Sequence, residues 1–120
     1  MGLGSRSLAH SDNLFRLMEY ISTYILTMEF EWDDAKNRQN VHKHLISFEE
    51  AKTIFDGDVL TVVDNRVDYG EVRFLSLGSL DLEVGSIVIV AAHTDRGHKT
   101  RIISARRANR RERKQYDEFI

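Results

Sequence analysis

KTRIISARRANRRERKQYDEF, Lys99–Phe119, is the stretch whose reading decides the fold. Its first part, KTRIISA (Lys99–Ala105), has the short β-branched, half-alternating pattern of a strand. It passes without glycine or proline into a helix read from about Arg107 to Phe119. A strand that feeds directly into a terminal helix points to a sheet with a helix laid on it. The charge on that helix is unusual. Arg106–Arg110 and Arg107–Arg111 read as like-charge i,i+4 pairs, each costing a few tenths of a kcal/mol. Cations in the first turns also oppose the helix dipole. Arg113–Asp117 and Lys114–Glu118 offset part of this, and the apolar stripe is thin: Ala105, Ala108, Tyr116 and Phe119. Two readings stay open, a docked anion and a solvated arginine face paired with the chain's own acids.

Those acids lie upstream. The formal net charge is only -2, yet Asp56, Asp58, Asp64, Asp68, Glu71, Asp81 and Glu83 face only Arg66 and Arg73 within their own stretch. A polarity of this kind fits a surface with one anion-attracting end, for nucleic acid or an acidic protein. In the same middle stretch VLTVVD (Val59–Asp64), EVRFLSLG (Glu71–Gly78) and VGSIVIVAAHT (Val84–Thr94) read as strands, with turns at Asp56-Gly57-Asp58, Gly85 and Asp95-Arg96-Gly97. Further upstream MEFEW (Met28–Trp32) alternates as a strand. Asp33 N-caps a helix to roughly His44, and Ser47 with Glu50 forms the S-x-x-E capping box of a second helix ending near Phe55. The order β-α-α-β-β-β-β-α over 28–120 is α+β: an antiparallel sheet of about four to five strands with helices packed on it.

Residues Met1–Asn13 are Gly/Ser-rich and unpatterned, whereas Leu14, Leu17, Met18, Ile21 and Ile25 keep helical spacing. Met28 is therefore read as the natural start, with 1–27 an extension, flexible or non-native, that carries a short helix. At 120 residues the chain is one domain by length, its domain spanning 28–120. The chain has no cysteine, which excludes disulfides and thiolate metal sites. No run approaches the ~18 apolar residues of a membrane helix, so a cytoplasmic protein with no membrane partner is expected. No P-loop, GxGxxG, HExxH, G-x-S-x-G or helix-turn-helix signature is present. His42 and His44 are i,i+2 and do not share a helix face as a zinc pair does, and His93 and His98 flank a turn without a third ligand. No metal or cofactor is expected.

The candidate chemistry sits on strands. In E-V-R-F, Val72 and Phe74 are expected to face the core, and Glu71 with Arg73 to face outward. In an unbroken last strand Arg101 shares a face with Ile103, and Ile102 with Ser104. If these strands are neighbours, Arg73, Arg101 and Arg106 converge with Glu71 on one cleft. Arginines around a carboxylate suit phosphate binding with acid/base chemistry; a plain surface Glu-Arg ladder is the alternative.

Taken in order, Phe30–Asp33, Lys36, Asn40, Lys43-His44, Ser47–Ala51, Phe55-Asp56, Gly70–Arg73, Thr94–Arg96, Arg101–Arg106, Ala108, Glu112-Arg113 and Tyr116 resemble the BrnT family of bacterial toxins. The resemblance runs from Met28 to about Phe119, and R-I-I-S-A-R with the following E-R and Y is its most specific block. It implies a RelE-like fold, ribonuclease activity and growth arrest. It also implies neutralisation by a BrnA-type antitoxin with a ribbon-helix-helix domain, promoter DNA being met only through the toxin–antitoxin complex. On this reading the chain is a metal-independent endoribonuclease that uses the RNA 2′-hydroxyl as nucleophile. Glu71 or His44 is the base, and Arg73, Arg101 and Arg106 hold the phosphate. Trp32 or Tyr116 stacks on a base, while Lys43, Arg107 and Arg110 steer the backbone. The alternative is a non-enzymatic module whose arginine-rich helix docks an acidic partner or nucleic acid. Leu45 stands where the family commonly has glycine, making a left-handed cap less comfortable, and His93 where it commonly has an aromatic.

Overall fold

A helix begins after Asp33 because its carboxylate takes the Lys36 N–H at 3.0 Å, one of the first-turn donors that no carbonyl reaches. The structure is a computed structural model that describes residues 14, 16–18 and 28–120. Leu14 and residues 16–18 are helical and exposed; the tail and the remainder of the expected 14–25 helix lie outside the described residues. From β1 (Glu29–Glu31) the chain enters α1 (Asp34–His44), then α2 (Phe48–Ala51), which tightens into a 3₁₀ turn at Lys52–Asp56. The Ser47–Glu50 capping box is present in both directions, at 3.0 Å each. Strands β2 (Leu60–Val63), β3 (Phe74–Leu82), β4 (Gly85–Arg96) and β5 (Lys99–Arg107) follow, then α3 (Arg110–Phe119).

The sheet order is β1-β5-β4-β3-β2. Strands β2 to β5 form the expected antiparallel meander, but β1 joins β5 in parallel, Glu31 opposite Arg101, so the sheet is mixed rather than wholly antiparallel. The two helices between β1 and the meander supply the crossover that a parallel pair needs.

On one face α1, α2 and the 3₁₀ turn bury Ile46, Phe48, Ala51 and Ile54 against Leu80, Ile89, Ala91, Ile102 and Ala105. The approach is close at Gly78, where a Cβ would lie 2.7 Å from the Ile54 Cβ. On the other face α3 covers a smaller cluster, Leu77 and Val90 under Tyr116. Burying a side chain of that size is worth roughly 1.5–3 kcal/mol, enough to seat a ten-residue helix whose exposed surface is almost all charge.

Three local expectations change. Strand β5 continues through Arg107, and α3 starts only after Asn109, whose side chain takes the Glu112 N–H at 2.8 Å. Arg106 and Arg107 are therefore strand residues on opposite faces, and the like-charge helical pairs do not form. Second, a β-bulge lies at Ile103: Ala92 faces Ser104 while His93 faces Ile102. The extra residue resets the alternation, so Ile102 and Ala105 both reach the core, and Ser104 joins the face of Arg101. Third, Val72 is not in the core but 61% exposed, because the chain becomes regular only at Phe74.

Asn40 explains how α1 is held to the sheet. Beyond Glu31, β5 has no strand partner on that side, and the Asn40 amide replaces one. It donates to the Ala105 carbonyl at 2.8 Å and accepts from the Ala105 N–H at 3.1 Å, with a second donation to Ile46 at 2.8 Å. Buried backbone groups left without partners would cost about 1–3 kcal/mol each.

Candidate functional site

The bulge and the register together set one row of side chains across the sheet, with Asp64 and Arg73 just beyond the ends of β2 and β3. Asp64 donates its N–H to the Arg73 carbonyl at 2.8 Å, and Arg73 directly precedes Phe74, which lies opposite His93. Thr94 lies opposite Arg101, and Arg101 opposite Glu31. The row therefore reads Asp64–Arg73–Thr94–Arg101–Glu31, with two arginines flanking a threonine that is 1% exposed. With two strand spacings between them, the backbones of Arg73 and Arg101 stand about 10 Å apart. Thr94 holds the incoming loop by donating to the Val72 carbonyl at 2.6 Å.

Glu71 and Arg73 share a cavity of about 300 Å³ with Asp64, Tyr69 and Val72. The Glu71 carboxylate lies 3.5 Å from Arg73 Nε and 3.6 Å from an Arg96 nitrogen. These are ion contacts rather than short hydrogen bonds, and Arg73 Nε, although buried, has no hydrogen-bond partner among the described residues. Its guanidinium is held instead over the Tyr69 ring, 4.0 Å from the centroid. The loop beneath is fixed by Asp64, which accepts from Arg66 Nε at 2.8 Å, from Arg66 Nη2 at 2.9 Å and from Tyr69 Oη at 3.1 Å. The Arg66 hydrogen bond holds the Asp64 carboxyl far below the usual carboxylate range. Asp64 and Tyr69 thus position the arginine, and neither stood out in the sequence. The loop D-N-R-V-D-Y-G carried one sign of them, a tyrosine just before the G-E-V-R segment.

The other expected residues are distributed as follows. Arg101 makes one long contact, 3.8 Å, to Glu31; contrary to the expected convergence, its strand does not neighbour that of Arg73, because β4 with Thr94 lies between them. Arg106 shares the same face but is occupied: Glu112 takes it at 2.7 and 2.9 Å. That hydrogen bonding raises the Arg106 pKa and lowers the Glu112 pKa. Lys43 and His44 line a separate cavity of about 260 Å³ between α1 and β5, with Lys36, Gln39, Ile103 and Ser104; it shares no lining residue with the Glu71–Arg73 cavity. Trp32 packs edge-on against Phe48 at 6.1 Å with the Lys52 ammonium 5.9 Å from its ring. Tyr116 is 4% exposed and donates to the Asp58 carbonyl at 2.7 Å, so its ring anchors α3 and is not presented to solvent. Arg107 and Arg110 are exposed.

Among the described residues no three His, Asp or Glu side chains gather as a metal set, and no helix is long and apolar enough to cross a membrane. The arrangement offers two guanidinium groups with unfilled hydrogen-bonding capacity on one open sheet face, one carboxylate beside them, and a second cationic cavity at the sheet edge. Such a set has the chemistry to bind a phosphodiester and to take a proton beside it.

No curated protein matches the chain. Residues 32–112, well over half of it and including every strand from β2 to β5, match the family described as the ribonuclease toxin, BrnT, of type II toxin–antitoxin systems. The chain belongs to the BrnT family of type II toxin–antitoxin ribonuclease toxins.

Proposed function

We propose that this toxin cleaves RNA without a metal, by attack of the 2′-hydroxyl on the adjacent phosphorus at the Asp64–Arg73–Thr94–Arg101–Glu31 row. The observation that carries the reading is the pair Arg73 and Arg101 flanking Thr94, with Glu71 3.5 Å from Arg73. Of the two base candidates, Glu71 takes the role because it shares a cavity with one of the arginines, whereas His44 lines the other cavity. Glu71 accepts the 2′-hydroxyl proton as the oxygen–phosphorus bond forms. Arg73 and Arg101 stabilise the charge that collects on the non-bridging oxygens. The bond to the 5′-oxygen then breaks, and that oxygen takes a proton from water in the open cavity. The products are a 2′,3′-cyclic phosphate and a 5′-hydroxyl. Arg106 supports the site by tying β5 to α3 through Glu112.

The cations of α3, Arg110, Arg111, Arg113 and Lys114, are exposed while Tyr116 anchors the helix. They suit the acidic surface of a BrnA-type antitoxin whose ribbon-helix-helix domain binds promoter DNA in the complex. RNA as substrate puts the site of action in the cytoplasm.

The test is cleavage of a single-stranded RNA by purified toxin in excess EDTA, with the product ends identified by phosphatase sensitivity. Arg73→Ala and Arg101→Ala should each lower kcat/KM by about 10²–10³ with folding intact. Full cleavage by both variants, or loss of cleavage in EDTA, would overturn the mechanism.

A further inference from the structure

We propose that the cavity between α1 and the open edge of β5 is a second anion subsite, which holds a backbone phosphate of single-stranded RNA through Lys36, Lys43, Gln39 and the Ser104 hydroxyl. It rests on the toxin acting on RNA and adds Lys36, Gln39 and Ser104 to Lys43, already set against the RNA backbone from the sequence. Lys36, Gln39, Lys43 and His44 fall at i, i+3, i+7 and i+8, one stripe along α1, and that stripe lines the cavity together with Ile103 and Ser104. The stripe faces the sheet because Asn40, within it, is bonded to the Ala105 backbone. Asn40 therefore fixes the helix backbone beneath Lys36, Gln39 and Lys43, whose side chains are exposed.

Arg66, Arg73, Arg96, Arg101 and Arg106 each have a carboxylate within ion-pair range, whereas among the described residues Lys36 and Lys43 have none. Arg38, Lys52, Lys99, Arg107 and the cations of α3 also lack one, so what distinguishes Lys36 and Lys43 is that both line one cavity. The bulge then supplies the neutral donor: by turning Ser104 onto the face of Arg101, it sets a hydroxyl between the row and the α1 stripe. A strand of RNA crossing the sheet from Arg73 past Arg101 meets Ser104 next and the two lysines last. A phosphodiester fits this set better than a carboxylate ligand does, since it offers oxygens to lysines and hydroxyl from several directions.

The test measures binding of a 2′-O-methyl single-stranded oligonucleotide, which this chemistry does not cleave, to the full chain over a range of salt concentrations. Lys36→Ala should weaken binding about 3–10-fold and reduce the salt slope by about 0.7. Ser104→Ala should weaken it less, with the slope unchanged. Lys99→Ala, a charge-matched exposed control at the β4–β5 turn, should have no effect. Inorganic phosphate should shift the amide resonances around Lys43 and Ser104 in the wild type and not in Lys36→Ala/Lys43→Ala. If Lys36→Ala behaves like Lys99→Ala, the subsite is overturned while cleavage at Arg73 and Arg101 stands. If Lys36→Ala retains RNA affinity and loses antitoxin affinity, the cavity is a protein contact and the proposal is equally overturned. A wild type that binds the methylated strand with the predicted variant pattern, yet leaves ordinary RNA intact, sinks the nuclease mechanism and supports the subsite.

Discussion

Leu45 is the one non-glycine residue with positive φ, 61°, among those described. It closes α1 in the left-handed region by donating its N–H to the Val41 carbonyl. An L-residue there costs roughly 1–2 kcal/mol, and with 83% of its surface exposed the leucine recovers little by packing. Glycine removes that cost and adds about 0.5–1 kcal/mol of unfolded-chain entropy. Leu45→Gly should therefore stabilise the protein by up to about 1 kcal/mol, read as a raised denaturant midpoint at unchanged m-value. The strained position was legible in the sequence as a missing glycine after Lys43-His44. Asn40 was not legible as a structural residue: a lone amide in a helical stripe looks like a surface polar group until β5, 65 residues away, is brought against it. Tyr116 failed in the opposite direction. An aromatic beside arginines suggests base stacking, yet the thin apolar stripe of α3 leaves that ring as the main group able to seat the helix, and burial prevails.

At the scale of elements, local signals carried far because they are satisfied locally. The Asp33 cap and the Ser47–Glu50 box start helices by bonds three residues long, and both are found where the sequence puts them. The start of α3 was displaced because Asn109 and Glu112, a second capping box, were hidden among arginines. Glu112 does two jobs: it closes that box and grips Arg106 with both oxygens. Its loss leaves a half-buried guanidinium unpaired and a helix start uncapped. Glu112→Ala should cost about 2–3 kcal/mol by equilibrium denaturation. If the box alone matters, Glu112→Gln should recover most of that; if the ion pair matters, it should recover less than half. The parallel β1–β5 pairing and the bulge at Ile103 were not legible, since strand neighbours depend on the whole topology and a bulge shows only as a broken alternation. The candidate arginines could be named one by one, but that Arg73 and Arg101 flank one threonine follows only from the register.

For the whole molecule, stability should fall toward acid in two steps. His93 is 7% exposed between Phe55 and Phe74, with Nε2 2.6 Å from Ser76 Oγ, and burial lowers its pKa below 6.5. Below pH 6.5 the unfolded chain therefore binds more protons than the folded one, and stability declines as pH falls from 6.5 to the folded value. The second step comes from Glu112 and Asp64, whose folded pKa values lie below 4.5 and 3.8; their contribution is complete above those values and lost beneath them. His93→Phe should flatten the step that begins near pH 6.5 in thermal melts and leave the lower one in place. A slope unchanged between pH 7.5 and 5.5 would show that another group carries it. The same sheet also bears on how the toxin is made. Its first strand pairs only with its last, Asn40 waits for Ala105, and Arg101 comes from the final strand to complete the row begun by Arg73. A nascent chain thus lacks both the finished sheet and the proposed site until β5 has been made. On the proposed mechanism, a chain that stops before β5 should neither close the sheet nor cleave RNA.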